Sequence, residues 1–522
     1  MKKKNLIIIH CQKNFNINDE NVSYINIGNG IAKIANSRKI VLSKYRKLNY
    51  VKYKNLLIKK LLKKMVETEK KIPFFPELEI FNLRNDKDTN IDLILNILII
   101  KEIVRKEKFQ KITVISDNKL TKDLFKQINP NIKIIYTGRN FLIPKLILLK
   151  IVKFYFKTFF VVIFTKIIHK ANFSTISFKE ACLSIYPIFY QKKETFFEDE
   201  KKIKLNFLLT DETHLNFSFI QIMKVIINLK NKNLIHIESF ITLTSLWKAF
   251  YKSILYYFLT LRINFKLNIN NLDLSKFYRD YIFTSLINRS KLNIYEDSTI
   301  IALKKFKIKI FNLYLFEYSF GFFLINLVKK KLNNIKIAGY QHGIFSDQLL
   351  WLDLILQNKN KYNYLPNEIK SFNLQSFYDY KKKINSKKIK FTLLKKNQSI
   401  LVNQYIESKD KKYTQNLLVL PGTHDANNIY NILKEKSDEK NNKKIFFLKF
   451  HPKKIIIAKD TSNLKIITKI KNKSFSNVLI SATSTLVYDF MNSKKNFMIY
   501  NIDYKQNLIS KKLKNKVKFY YF

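Results

Sequence analysis

Glycine and arginine are both scarce in this chain. Only seven of its 522 residues are glycine, and only eight of its 96 basic residues are arginine. A dedicated nucleic-acid-binding protein concentrates arginine, whose planar side chain matches phosphate groups and base edges. Lysines are spread along the whole sequence instead, so the net charge of +57 indicates no specific nucleic-acid partner. A field this positive still attracts anionic lipids and nucleotides.

Cysteine motifs and long apolar runs are also missing. The two cysteines, Cys11 and Cys182, belong to no CxxC pair or Cys/His cluster, which indicates neither a zinc site nor a disulfide framework and fits a reducing cytoplasm. The apolar run at 6–9 is short and is followed by no small-residue cleavage site, so we interpret it as a β-strand rather than a signal peptide.

Strand and helix patterns alternate through most of the chain, which predicts an α/β fold with parallel sheets covered by helices. In the first 140 residues the patterns predict strands at 6–10, 111–117 and 132–137, and helices at 91–106 and 120–128. Further strands are predicted at 204–209, 234–238, 292–295, 307–315 and 335–340. The final unit is predicted to contain strands at 417–420, 444–450, 464–468, 478–480 and 497–501. Residues 359–397 are polar, and we expect surface helices or a linker there.

Two apolar, lysine-containing stretches, 141–170 and 240–262, have the composition of helices at a membrane interface. In the first, Lys150, Lys153 and Lys157 fall on one helical face, and its longest uncharged run, 158–165, is far below the ~20 residues that span a bilayer. The second carries Trp247, Tyr251, Tyr256 and Tyr257. The alternative is a core helix with snorkelling lysines. We favour an anionic membrane surface for the first stretch and leave the second open.

The domain organisation follows from these patterns. We expect an amino-terminal α/β unit at 1–140, a basic amphipathic helical segment at 141–200, an α/β lobe at 201–410 and a second α/β lobe at 411–522. The cysteine content and the amphipathic segment together predict a cytoplasmic protein that is peripheral on the inner membrane.

The few glycines mark positions where the backbone requires them. The segment 339–343, GYQHG, ends a predicted strand, and ligands of α/β sheets bind outside the carboxyl ends of strands. It supplies Gln341, His342 and Gly343, and a histidine in this position can contact a phosphate or act as acid or base. The alternative is a turn that carries a solvated histidine.

Three further segments follow strands of the final unit. A glycine turn, a strand-end histidine among lysines, and hydroxyls before a helix are each suited to bind a nucleotide phosphate. The alternatives are strand termination by proline and ordinary helix capping. These segments supply the donor-binding candidates Gly422, Thr423, His424, Lys449, His451, Pro452, Ser481, Thr483, Ser484 and Thr485.

Two acidic positions are candidates for a general base. Glu296 and Asp297 follow the strand predicted at 292–295, and Glu317 follows the one at 307–315. An ionised carboxylate in an electropositive cleft can accept a proton, or it balances surface lysines. The only D-x-D, Asp86 and Asp88, lies in a polar loop, so we predict no metal site.

The order and spacing of the GYQHG loop, the His-Pro pair and the Ser/Thr cluster resemble GT-B glycosyltransferases of bacterial surface polysaccharides. The carboxyl-terminal half is similar to bacterial sialyltransferases, in which a His-Pro pair and a Ser/Thr pair hold the cytidine monophosphate (CMP) of the donor. Their acidic-acidic-Gly base motif is matched here by Glu296 and Asp297, with Ser298 in place of glycine. The stretch 316–353 also resembles a family of surface-carbohydrate biosynthesis proteins in which an acidic residue, here Glu317, precedes the GYQH loop.

This resemblance covers about residues 290–500. It implies a GT-B-like arrangement of two Rossmann-like lobes, with an additional amino-terminal α/β unit and amphipathic helices. It implies metal-independent transfer of a sugar, with a sialic-acid-like sugar on CMP as one option, from a nucleotide-sugar co-substrate to a glycan or glycolipid acceptor. No further cofactor is expected. The alternatives are a CDP-polyol phosphotransferase and a non-catalytic scaffold in surface-polymer assembly.

Overall fold

A computed structural model gives the fold of most of the chain. It describes residues 5–11, 15–17, 22–28, 32–34, 37–72, 89–129, 131–138, 143–168, 178–184, 202–209, 220, 223, 226–227, 234–314, 318–341, 343, 345, 352, 355–356, 364–394, 400–407, 415–422, 425–439, 442–451, 458–471, 473–502, 509, 513 and 515–521. These residues form an α/β protein with three large parallel sheets.

The first sheet has strand order β5-β3-β1-β6-β7, with every pairing parallel. Counted along the chain this order is 3-2-1-4-5, which is a doubly wound, Rossmann-like arrangement. Its strands are β1 (Asn5–His10), β3 (Val22–Asn26), β5 (Arg38–Lys39), β6 (Lys111–Ser116) and β7 (Lys133–Tyr136). A separate pair joins β2 (Phe15–Ile17) and β4 (Ala32–Ile34). The helices are α1 (Leu42–Glu69), α2 (Thr89–Glu107) and α3 (Lys119–Ile128).

The second sheet has strand order β10-β9-β8-β13-β14-β15-β16, or 3-2-1-4-5-6-7 along the chain, again all parallel. Its strands are β8 (Glu180–Ser184), β9 (Ile203–Asn206), β10 (Leu234–His236), β13 (Ile310–Tyr314), β14 (Lys336–Tyr340), β15 (Glu368–Ser371) and β16 (Lys390–Leu393). The helices are α4 (Ile143–Ile168), α5 (Leu243–Leu261), α6 (Ser275–Lys305), α7 (Tyr318–Lys331) and α8 (Leu374–Ile384). A hairpin of β11 (Asn268–Ile269) and β12 (Leu272–Asp273) precedes α6, and a 3-10 turn spans Ile237–Phe240.

The third sheet has strand order β20-β19-β18-β22-β23-β24, which is 3-2-1-4-5-6 along the chain and entirely parallel. Its strands are β18 (Asn416–Leu420), β19 (Ile445–Leu448), β20 (Leu464–Ile466), β22 (Asn477–Ser481), β23 (Met498–Asn501) and β24 (Lys518–Tyr521). The helices are α9 (Ile400–Gln404), α10 (Ala426–Ser437) and α11 (Leu486–Asn492), and β17 (Ile406–Glu407) pairs with β21 (Ser474–Phe475).

The apolar cores do not correspond one to one with the three sheets. We call each sheet with its helices a unit. One continuous cluster joins the first sheet, through residues such as Ile8, to the second unit, through Tyr278 of α6 and Ile369 of β15. The third sheet has clusters of its own on its two faces, because alternate residues of a strand point to opposite sides. Thus Leu418 packs on one face of that sheet and Val419 on the other.

One predicted strand is wrong, and two other segments contain elements that the sequence did not predict. Residues 292–295 are not a strand but part of α6, a helix of 31 residues. Four consecutive residues are buried there, since α6 is covered on several sides, and such a short apolar run does not distinguish a helix from a buried strand. The polar stretch 359–397, for which we expected surface helices or a linker, contains the helix α8 and also the strands β15 and β16. Within the segment predicted at 141–200, α4 packs into the core of the second sheet and β8 lies in the middle of that sheet.

No helix in the described part of the chain has both the length and the apolar character needed to cross a membrane.

Candidate functional site

The strand order of the third sheet reverses between β18 and β22, which are hydrogen-bonded neighbours. In open α/β sheets, ligands bind in the crevice that such a reversal leaves at the carboxyl ends of the strands. Two of the predicted segments begin at this point, because Gly422 follows β18 and Ser481 ends β22. The strand patterns in the sequence therefore placed both segments at this edge of the sheet.

Gly422 lies directly against the hydroxyl cluster. A Cβ atom at this position would stand 2.6 Å from Thr483 Oγ1 and 3.0 Å from Ser481 Oγ. The 2.6 Å distance is too short for a real Cβ, so any side chain at this position would force Thr483 to move. We call the space between Gly422, Ser481 and Thr483 the hydroxyl notch.

Two residues that the sequence analysis did not select complete the hydroxyl notch. Ser481 Oγ donates to Asp425 Oδ2 at 2.6 Å, and the Tyr500 hydroxyl donates to the same oxygen at 2.8 Å. Burial and the neighbouring Asp425 raise the pKa of Tyr500 well above its usual value, so this hydroxyl stays protonated. Asp425 stands at the amino-terminal cap of α10, but its side chain makes no capping bond. Asp425 could have been selected from the sequence, because it ends the PGTHD segment. No sequence pattern pointed to Tyr500.

The hydrogen bonds also fix the direction of the protons. Ser481 has one hydroxyl proton and donates it to Asp425, so Thr483 must be the donor in the 3.0 Å contact between the Thr483 and Ser481 hydroxyls. Rotation about the C–O bond of Thr483 would redirect that proton to an oxygen of a ligand. Asp425 Oδ1 is buried and has no hydrogen-bond partner among the described residues.

Lys449 and His451 lie at the same edge of the sheet. β19 is the neighbour of β18, and the Lys449 backbone N–H donates to the Val419 carbonyl at 3.1 Å. The side chain of Lys449 is half-buried, and burial lowers its pKa, whereas His451 is exposed. An imidazole and an ammonium group therefore follow the strand next to the hydroxyl notch, as the sequence predicted.

The other two hydroxyl candidates have weaker positions. Ser484 is half-buried, and its Oγ accepts the Leu486 backbone N–H at 3.3 Å. Thr485 stands before α11, but its side chain makes no capping hydrogen bond. Of these three hydroxyls, Thr483 is the one that lies against Gly422.

In the GYQHG loop, Gln341 makes contacts that the sequence did not predict. Gln341 is buried, and its Nε2 donates to the Gly343 carbonyl at 2.8 Å and to Ser376 Oγ at 2.9 Å. Ser376 in turn donates to the Tyr488 hydroxyl on α11 at 2.8 Å. Gln341 thus connects the second sheet to the third unit instead of presenting its amide to solvent. Gly343 is exposed, and a Cβ there would meet nothing within 4 Å, so packing does not require glycine.

Glu296 and Asp297 do not lie at the end of a strand. Both are in the middle of α6, where Glu296 Oε2 pairs with Lys252 Nζ of α5 at 2.7 Å and Asp297 is exposed. The strand-end argument for these two carboxylates as the general base is therefore wrong.

Several candidates fall outside the described residues: Glu317, His342, Thr423, His424, Pro452, Asp86 and Asp88. Within the described residues, no group of three or more His, Cys, Asp or Glu side chains is arranged to hold a metal ion.

Comparisons with protein-family models, with curated proteins and with solved structures gave no match to this chain.

Proposed function

We propose that the protein is a glycosyltransferase that binds a nucleotide-activated sugar at the hydroxyl notch of the third sheet. The observation that carries this proposal is the convergence of Gly422, Ser481 and Thr483 at the strand-order reversal, with Lys449 and His451 after the adjoining strand. Hydroxyl, imidazole and ammonium groups at such an edge match the oxygens and negative charge of a nucleotide phosphate. Of the donors that the sequence resemblance implies, we choose a CMP-linked sugar.

The groups on this edge suit the departure of the donor phosphate. In the transfer, the bond between the anomeric carbon and the phosphate oxygen breaks, and the acceptor hydroxyl oxygen bonds to that carbon as it loses its proton. Negative charge grows on the phosphate, where Thr483, Lys449 and His451 supply hydrogen-bond donors and positive charge. Donors that are already in place stabilise that charge without further reorganisation.

The second sheet supplies the opposite wall in this proposal. The hydrogen-bonded chain from Gln341 through Ser376 to Tyr488 holds the carboxyl end of β14 close to α11, which follows the hydroxyl cluster. An acceptor glycan or glycolipid bound between the two units would meet the donor there. Two doubly wound units that face each other across a cleft are what a GT-B-like enzyme requires.

The test is calorimetric titration of the protein with CMP and with uridine diphosphate. We expect CMP to bind and His451→Ala to weaken its binding about tenfold, which is the loss of one hydrogen bond to a charged group. The matched control is Tyr521→Ala, an exposed side chain on the far edge of the same sheet, which should leave binding unchanged. Release of CMP from a CMP-sugar with added acceptor extends the test to catalysis.

Three results would count against the proposal. If neither nucleotide binds, the notch is not a nucleotide site. If His451→Ala binds CMP as tightly as the wild type while Thr483→Ala does not, the phosphate contacts are assigned to the wrong strand. Release of a polyol phosphate instead of a sugar would replace the glycosyltransferase with a phosphotransferase that uses the same site.

A further inference from the structure

Two helices of the second unit lie side by side on a third. The Tyr155 hydroxyl of α4 lies 2.8 Å from Ser253 Oγ of α5 and donates to the Ser290 carbonyl of α6 at 3.2 Å. The rings of Tyr155 and Phe250 also meet edge to face, 5.2 Å apart. One face of each helix is therefore buried against α6, and the opposite face of each is turned outward.

The outward faces of α4 and α5 are strongly apolar. Of the 24 large hydrophobic side chains that are well exposed among the described residues, 14 lie on these two helices. Those on α4 are Leu146, Leu149, Val152, Phe156, Phe159, Phe160, Ile163 and Ile167. Those on α5 are Leu243, Trp247, Tyr251, Leu255, Phe258 and Leu261. Their spacing of three or four residues makes a continuous strip on each helix, and we call the two strips together the α4–α5 face.

A surface of this kind requires an explanation. Soluble monomers rarely expose a contiguous apolar patch beyond a few hundred Å², and larger patches mark sites where a protein or a membrane binds. With 26 and 19 residues, the two helices run about 39 and 28 Å at 1.5 Å per residue.

The charged residues on α4 and α5 themselves all have one sign. Neither α4 nor α5 contains an aspartate or glutamate, whereas Lys150, Lys153 and Lys248 are exposed beside the apolar residues. Lys157 is half-buried near Lys291 of α6 and Lys153. Burial, followed by the positive charges of Lys291 and Lys153, lowers the pKa of Lys157. Positive charges are thus crowded along this border, and an anionic surface would relieve their repulsion.

We propose that the α4–α5 face docks on an anionic lipid bilayer, with both helices lying in the plane of the interface. Aromatic and aliphatic side chains would enter the acyl boundary, and the lysines would meet phosphate headgroups. A second copy of the chain fits less well, because a symmetric contact would bring the same lysines together with no carboxylate from either helix to balance them. The proposal does not depend on the nucleotide site.

Tryptophan fluorescence tests the docking directly. The chain has two tryptophans, Trp247 on the α4–α5 face and Trp351, so Trp351→Phe leaves Trp247 as the only reporter. We expect its emission to shift to the blue, and quenching by a water-soluble quencher to fall, when phosphatidylglycerol vesicles are added. The shift should be weak with phosphatidylcholine vesicles and should decrease at high salt, since each lysine near an anionic surface adds about fivefold to binding.

Vesicle flotation of the full chain provides the second measurement, without any nucleotide present. The double variant Phe156→Glu/Trp247→Glu should weaken flotation with anionic vesicles at least about tenfold, because each aromatic loses its burial. Val51→Glu is the control, since Val51 is similarly exposed on α1. Circular dichroism and light scattering establish the fold and the oligomeric state of each variant.

Three outcomes would overturn the proposal. The first is wild-type protein that does not float with anionic vesicles. The second is unchanged flotation of a folded double variant. The third is a wild-type dimer that the double variant converts to a monomer with no vesicle binding in either, which would assign the face to self-association. If the double variant does not fold, the response of Trp247 in the Trp351→Phe protein decides.

Discussion

The first and third sheets share a strand order but differ at the edge where that order would place a ligand. In the first sheet the reversal lies between β1 and β6, and a Cβ on Gly28 would stand 2.5 Å from the Cys11 backbone nitrogen. A Cβ on Gly138 would likewise collide with the Asp117 carbonyl. In the third sheet, the neighbours of Gly422 are side-chain oxygens. The described glycines at the first edge therefore have a backbone atom as their nearest neighbour, whereas Gly422 has a polar side chain.

The titratable groups at the edge of the first sheet also differ from those at the edge of the third. His10 at the end of β1 is hydrogen-bonded to Thr121, and burial lowers its pKa to about 4. Burial, with Asp117, raises the pKa of Cys11 to about 11. Both groups are therefore neutral near pH 7, and neither offers charge to a ligand. Strand order fixes where a site can form, but the side chains at that edge decide whether an anion binds.

Matched glycine substitutions should give the largest difference between the two edges. We expect Gly28→Ala to destabilise the fold by about 2–3 kcal/mol, because its Cβ meets backbone that cannot move aside. Gly422→Ala should lower the free energy of unfolding by about 1 kcal/mol or less, since Thr483 can rotate. The same substitution should abolish CMP binding, because the added methyl group fills the notch. Thermal unfolding and CMP titration of both variants measure this. Equal loss of stability together with unchanged CMP binding in Gly422→Ala would show that the two edges do not differ.

The second comparison uses pH. The pKa of His10 is lowered on folding from 6.5 to about 4, so the unfolded chain binds more protons between these values. The contribution of neutral His10 to the free energy of unfolding is therefore fully present above pH 6.5. It is lost as the pH falls, by about 3 kcal/mol near pH 4. His10→Gln should show a smaller loss of melting temperature between pH 7 and pH 4 than the wild type. His451→Gln, at the exposed third edge, is the control and should keep the wild-type profile; identical profiles for all three proteins would contradict this role of His10.

The smallest effect should come from removing one hydroxyl at each edge. Thr483→Ala should weaken CMP binding about tenfold, whereas Ser484→Ala should have an effect of about threefold or less because its oxygen already accepts the Leu486 N–H. Thr121→Ala removes the partner of His10 and should change stability alone. Calorimetric titration and thermal unfolding of the three variants separate these effects. A change in CMP binding in Thr121→Ala would indicate that the ligand binds at the edge of the first sheet.

The hydroxyl notch could be located from the sequence because its parts follow strands with unambiguous patterns. β18, β19 and β22 are short apolar runs with turn residues after them, so Gly422, His451 and Ser481 could be assigned to one sheet edge. Asp425 and Tyr500 were missed because their role arises from side-chain packing between loops that are distant in sequence. The contacts of Gln341 could not be predicted either, since its partner Ser376 lies in a region where we expected surface helices or a linker.

The shared core described above has a consequence for cooperativity. The first sheet and the second unit are joined by one apolar cluster, so neither can lose its packing without exposing part of the other. The third unit has its own clusters, and the hydrogen bond from Ser376 to Tyr488 joins it to the second unit. By their apolar clusters the three sheets therefore form two blocks, and the boundary between the blocks lies beside the proposed site. A movement of the third block relative to the other would change the site while each apolar core stayed intact.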